Sequence, residues 1–317
     1  MAKEIGGYIE LEQNRMPMMH DKAIALNCGR NCLVYLIRAE KIKKIALPYF
    51  LCDSIENVCI RERLEISYYH INQHFLPKAL KLKEDEWLYL VNYYGQLSNE
   101  KILSFAHCYP KIIVDHAQAY YQEPLDGVDT LYSCRKFFGT SDGGFLYTDN
   151  LYKDEYPQDE SFERMRFLLG RYERTASEFY SEYIANNKMF SREPLKQMSK
   201  LTQNILHGID YEYVKYRRTE NFSYLENALG NINSLELNHT IGAYMYPFFI
   251  KNGSEIRKRL QKDKIYIPIL WPHVFNICTE DKLEYQMANN ILPLPVDQRY
   301  DLEDMKYLTR RIMECID

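Results

Sequence analysis

Ile112-Ile113-Val114-Asp115-His116-Ala117-Gln118-Ala119 and Asp129-Thr130-Leu131-Tyr132-Ser133-Cys134-Arg135-Lys136 are the two stretches on which the reading of this chain turns; the second runs on into Gly139-Thr140-Ser141-Asp142-Gly143-Gly144. Each opens as a short apolar run of strand type. The first ends in a carboxylate, and the second passes into a lysine beside a glycine-rich turn. A carboxylate at the end of a buried strand is costly unless a cation meets it. Taken singly, each residue has an ordinary role: the aspartate as a helix cap or amide acceptor, the lysine as a solvated side chain. Their ordered combination, with glycines behind the lysine, is much rarer.

Outward from these stretches the first half of the chain alternates. Gly29 to Lys41, Ser54 to Arg63 and Asn99 to Cys108 carry helical spacing. Between and after them lie the strand-like runs 44–47, 65–69, 88–91, 111–115, 130–132 and 145–148. Strands alternating with helices imply βαβ units and a largely parallel sheet. Ligands of such sheets sit beyond the carboxyl ends of the strands, where Asp115 and Lys136 fall. From about Asn150 the pattern changes. Ser161 to Asn187 reads as one long helix or a broken pair, and Glu193 to His207 and Tyr211 to Leu229 as two more. Strands return at Tyr246–Ile250 and Ile265–Leu270, with a helix over Ser254 to Lys262 and a last amphipathic helix over Leu302 to Ile316. The expected division is a large domain over 1–155, then a helical segment and small domain over 156–317.

Composition narrows the function. The chain has 317 residues, 46% hydrophobic and 26% charged, with a net charge of −4. Nothing in that balance calls for nucleic acid. No apolar run approaches a membrane span, and the first residues lack the apolar core of a signal peptide. Eight cysteines without a C-x-x-C pair fit buried thiols in a reducing cytoplasm. The eight histidines show no zinc-ligand spacing, so no metal is expected.

A protonated pyridine nitrogen is a cation that would satisfy Asp115, and pyridoxal 5'-phosphate (PLP) enzymes use such a pairing to make the ring an electron sink. Lys136 is placed to reach the cofactor's aldehyde carbon. The residues then resemble the DegT/StrS-type sugar aminotransferases, through nearly the whole chain. Cys28-Gly29-Arg30-Asn31 stands where that family has a small-residue turn opening a helix. Tyr94-Gly95-Gln96, Val114-Asp115-His116-Ala117-Gln118, the series Ser133, Lys136 and Ser141-Asp142-Gly143-Gly144, and Ile291-Leu292-Pro293-Leu294-Pro295 match further motifs.

The resemblance implies an α/β chain of PLP fold-type I, with a mostly parallel large domain and a smaller C-terminal α+β domain. It implies Asp115 on the pyridine nitrogen, Gln118 on the phenolic oxygen, Lys136 as Schiff-base lysine and proton carrier, and Ser133 on the phosphate. The amides of Gly29 and Arg30 would hold the phosphate at a helix N-terminus, with Arg30 adding charge. The chain departs from the pattern in two places. Ser133 stands three residues before the lysine instead of five. Cys52 falls where an aromatic ring usually stacks on the cofactor, leaving Phe50 or Tyr49 to do so. Asn186 and Asn187 are candidates to reach a partner's phosphate. The implied function is transfer of an amino group from an amino acid such as glutamate to a keto-sugar, nucleotide-linked, in a cytoplasmic homodimer whose sites lie at the interface. The alternatives are another PLP reaction, and a non-catalytic PLP-fold binding or regulatory protein.

Overall fold

The apolar runs of the first half assemble into one sheet. The computed structural model describes residues 5–316. Its strands are β1 (Ile24–Leu26), β2 (Lys44–Pro48), β3 (Glu65–Ile71), β4 (Pro77–Lys78), β5 (Glu86–Val91), β6 (Ile112–Asp115), β7 (Asp129–Ser133) and β8 (Gly144–Tyr147), in the order β1-β8-β7-β6-β5-β2-β3-β4. Strands β3, β2, β5, β6 and β7 run parallel, and β8, β1 and β4 pair antiparallel. Helices α1 (Gly29–Ala39), α2 (Asp53–Arg61) and α3 (Asn99–Cys108) fall among these strands in sequence. The expected parallel sheet is borne out, and all four residues of β6 are buried, as a central parallel strand requires.

Register fixes the working edge. Val91, Asp115 and Leu131 are aligned across β5, β6 and β7. The parallel strands therefore deliver Pro48, Asp115 and Ser133 to one side. Because β1 is antiparallel to β8 and β8 to β7, β1 ends on that side too, and α1 starts there.

The middle of the chain departs from the expected helices. The run over 161–187 is interrupted: α4 (Arg166–Glu173) and α5 (Tyr180–Met189) are separate helices, with Phe179 folded back onto Gly170. A Cβ at Gly170 would lie 2.3 Å from the Phe179 ring. Only α6 (Lys200–Leu206) forms within the expected 193–207 helix. Ahead of it the chain runs extended beside β1, with Asn27 N–H donating to the Lys196 carbonyl at 3.0 Å and Met198 N–H to that of Ala25 at 3.1 Å.

A second core gathers around α7 (Tyr211–Leu229), β9 (Met245–Phe249), α8 (Gly253–Lys262) and, beyond α9 (Val274–Ile277) and α10 (Leu283–Asn290), β10 (Ile291–Pro295) and α11 (Leu302–Ile316). It begins at Phe222, within α7, whereas Met198 and Leu206 still pack with Tyr132 and Phe145 of the first sheet. The expected strand over Ile265–Leu270 does not form, and β9 pairs instead with β10. Pro268 removes a donor from the first candidate. β10 tolerates its own prolines because Pro293 faces Pro247 in the register. Two prolines opposite one another fit only a non-hydrogen-bonded pair, where both N–H positions would point out of the ribbon. Among the described residues no helix is long and apolar enough to cross a membrane.

Candidate functional site

Lys136 closes a short 3-10 turn, Cys134–Lys136, that leaves the end of β7. Its side chain is open to solvent although protein crowds around it, as for a group lining a recess. That crowding lowers the amine pKa by desolvation; Asp115 and Cys52 act in the opposite direction, and Arg30 and Arg135 add to the lowering. All four lie close enough to act on the lysine by charge. The Tyr244 ring, from the turn before β9, lies 5.6 Å from its Nζ.

The glycines behind the lysine are there for close approach. Gly143 has φ +118°, and a Cβ there would meet Cys134 Sγ at 2.2 Å. A Cβ at Gly144 would meet the backbone N of Gly29 at 2.7 Å. The turn is thus pressed against the start of α1. Between them Asp142 is fully buried and structural: its carboxylate accepts from Ser199 N–H and Ser199 Oγ, both at 2.8 Å, and from Thr202 Oγ1. It holds the start of α6.

Asp115 is 8% exposed. Its Oδ1 accepts from Ala117 N–H at 2.7 Å and its Oδ2 from the Tyr89 hydroxyl at 2.8 Å. Among the described residues no lysine, arginine or histidine forms an ion pair with it. A buried carboxylate held by two neutral donors, with a lysine nearby, is the donor set a protonated pyridine would complete. The buried Gln118 accepts from Tyr94 N–H at 2.8 Å, which supports a turn where Tyr94 takes a φ of +53°.

No side chain caps α1, so the positive end of a helix, with the Arg30 amide in its first turn, lies at this corner and suits an anion. Ser133 is against it: a Cβ at Gly29 would lie 3.7 Å from Ser133 Cβ. Two guanidinium groups flank this corner. Arg30 donates to the Asn187 carbonyl at 3.4 Å, and Arg135 donates to Asn187 Oδ1 while lying 4.6 Å from the Phe190 ring centre. Neither has a carboxylate partner among the described residues. Burial lowers the pKa of Arg135, and its Nε is buried without an acceptor. Helix amides, a hydroxyl and two unpaired arginines make a site that fits a phosphate.

The expectation for Phe50 is corrected. Its ring is 1% exposed, packed at 4.4 Å on Trp271 and at 5.4 Å on Tyr93, with no face left for a ligand. Tyr49 is engaged with Tyr68 and His70. Cys52, half-buried at the start of α2, is the residue of that loop that Lys136 senses. Asn186 and Asn187 are used within the chain, Asn186 donating to the Ser141 carbonyl at 2.9 Å. Sequence reasoning missed Tyr89, Arg135 and Tyr244. Arg135, adjacent to the lysine, was the one with a signal. A polar depression of about 320 Å³ lined by His74, Phe75, Gln96, Glu236, Leu237 and Asn238 contains none of the groups around Lys136. Among the described residues no cluster could hold a metal ion.

No protein-family model matches the chain, and no curated protein matches it. Solved structures do. NtdA from Bacillus subtilis, with bound cofactor PMP, aligns with a TM-score of 0.66 over 93% of this chain and 73% of that one, at 15% identity. The sugar aminotransferase CalS13 from Micromonospora echinospora gives 0.62 over 92% and 87%, at 15% identity. A DegT DnrJ EryC1 StrS aminotransferase from Brucella abortus gives 0.63 over 92% and 85%, at 14% identity. The chain has the fold of the sugar aminotransferases. Within this fold-type I architecture, Asp115 and Lys136 lie at the carboxyl edge of the sheet, one ending β6 and the other in the turn that follows the adjacent parallel strand β7.

Proposed function

We propose that the chain is a PLP-dependent aminotransferase that carries an amino group from an amino acid to a keto-sugar. Glutamate as donor and a nucleotide-linked acceptor are the finer reading. The observation that supports it most is a buried carboxylate, Asp115, that makes no ion pair among the described residues and lies near a lysine, Lys136, crowded by protein. When bound, PLP supplies a protonated ring that takes up the electron pair left by the broken Cα–H bond.

The remaining work falls to this chain. Asp115 holds a proton on the ring nitrogen, and Tyr89 and the Ala117 amide keep its carboxylate in place. Lys136 would hold the cofactor at its aldehyde carbon and, once displaced as the free amine by the donor's amino group, would move the proton at Nζ; its lowered pKa leaves more of the amine neutral at working pH. Gly29, Arg30, Ser133 and Arg135 hold the phosphate. Gln118, whose oxygen is taken by Tyr94 N–H, would offer its amide nitrogen to the cofactor's phenolic oxygen. The apolar side chains exposed on the 162–183 stretch, among them Leu169 and Tyr172, support a homodimer.

The test is direct. Purified protein incubated with PLP should absorb near the visible edge, and borohydride reduction followed by peptide mass spectrometry should tag Lys136. Addition of glutamate should bleach the band. A tag on another lysine, or a protein that takes up no PLP, overturns the proposal.

A further inference from the structure

Among the buried charges not yet accounted for, one reaches the surroundings of Lys136. Arg218, on α7 in the second core, is 1% exposed and has no carboxylate within ion-pair distance among the described residues. Burial pushes its pKa down to about 10, with the neighbouring Asp297 opposing the shift. That aspartate is itself paired to Arg299 at 2.6 Å. A buried guanidinium is tolerated only where acceptors surround it, and here they are backbone carbonyls from two distant places. Nη2 donates to the Phe137 carbonyl at 3.1 Å, and Nη1 to those of Ala243 at 2.9 Å and Tyr244 at 3.3 Å. Nε donates to Gln298 Oε1 at 3.0 Å, and Gln298 Nε2 returns to the same Phe137 carbonyl at 2.9 Å. The guanidinium also lies 4.6 Å from the Phe137 ring centre.

Phe137 directly follows Lys136, and Tyr244 carries the ring beside its Nζ. We propose that Arg218 is a positioning residue for the reactive lysine: with Gln298 it clamps the peptide after Lys136 to the Tyr244 turn, and so ties the second core to the lysine's surroundings. The groups that face Lys136 are Asp115, Cys52, Arg30 and Arg135 by charge and Tyr244 by its ring. Of these, the clamp fixes Tyr244. Freed from it, the turn would part from the lysine and thin the protein that crowds its amine. The desolvation that holds the amine pKa down would relax, and less neutral amine would be present at working pH. This role rests on Lys136 being the reactive lysine of the proposed aminotransferase.

The experiment uses the full-length protein without cofactor and reads the lysine itself. Reductive methylation of Lys136 is followed against pH by peptide mass spectrometry in wild type, Arg218→Met and Gln298→Leu. Arg218→Met should raise the labelling midpoint by about half a pH unit or more, and Gln298→Leu should move it the same way by less. In holoprotein kcat should fall about threefold or more with KM nearly unchanged, the mark of a group that acts after binding. Unchanged midpoints and unchanged kcat in both variants, with only a lower thermal midpoint, would show a structural staple and overturn the proposal. Should Arg218→Met fail to fold, Gln298→Leu decides alone, since Gln298 is half-buried and leaves the guanidinium in place. A wild type that takes up no PLP overturns the aminotransferase reading, while the labelling midpoints still decide the positioning role.

Discussion

Replacing Asp115 by asparagine separates the carboxylate's charge from its shape. Asparagine keeps an oxygen for Ala117 N–H, now bonded at 2.7 Å, and turns its amide toward Tyr89, whose hydroxyl donates at 2.8 Å and can rotate to accept. Fold stability should therefore change by no more than about 1 kcal/mol. Without cofactor it should not fall at all, because a buried carboxylate with no cation is itself a cost. The holoprotein should behave oppositely. Breaking a buried charge pair costs about 3–5 kcal/mol, which corresponds to roughly 10² to 10⁴ in rate. The assay is single-turnover decay of the cofactor band on adding glutamate, beside thermal melts with and without PLP. Asp115→Asn should melt like wild type without PLP, gain less from PLP by linkage, and turn over at least about a hundredfold more slowly. Turnover within a few-fold of wild type would refute the pairing of Asp115 with the ring nitrogen.

Three further outcomes follow from the same structure. His20 and His116 are buried, and their pKa values are pushed down to about 4 and about 3 by desolvation. Their contribution is complete above the unfolded value of 6.5 and is lost as pH falls toward the folded values, by about 1.4 kcal/mol per pH unit for each. Urea melts at pH 7 and pH 5 should show the loss, and a His116→Gln protein with the wild-type slope would contradict it. Asp142→Asn should destabilise the fold by about 3 kcal/mol, because three donors at the start of α6 lose a charged acceptor; a cost below about 1 kcal/mol in denaturant melts would reject that role. Sedimentation should find a dimer at micromolar protein, and Leu169→Asp should shift it to monomer and weaken PLP binding; a wild-type monomer that holds PLP and turns over would remove the shared site.

How much could be read in advance varied along the chain. The strands over 44–48, 65–71 and 112–115 and the helices over 99–108, 211–229 and 302–316 were legible because each carries its own period and its own stop. β1 and β4 were not, being too short to show one. Ile265–Leu270 looked as good a strand as Ile291–Pro295, and only competition for the edge of β9 separated them. At the site, Asp115 and Lys136 stood out because a charged residue ending an apolar run conflicts with its surroundings. Phe50 was misplaced because composition cannot tell a ring that faces a recess from one that faces Trp271.

By itself, then, the sequence determined the alternation of strands and helices in the first half, the acid and the lysine at two strand ends, and the glycines that let the lysine's turn press against α1. Those are local properties, set by periodicity, by desolvation of a charge and by the room a missing Cβ leaves. Only the tertiary structure decided what meets what. It brought Arg135 and Arg30 to one corner with Asn187 between them, set Tyr89 on Asp115, and carried Arg218 from the second core to the peptide beside Lys136. Such pairings join residues far apart in the chain. They are chosen by which buried donors and charges find partners once the two cores close, and no local pattern records that choice.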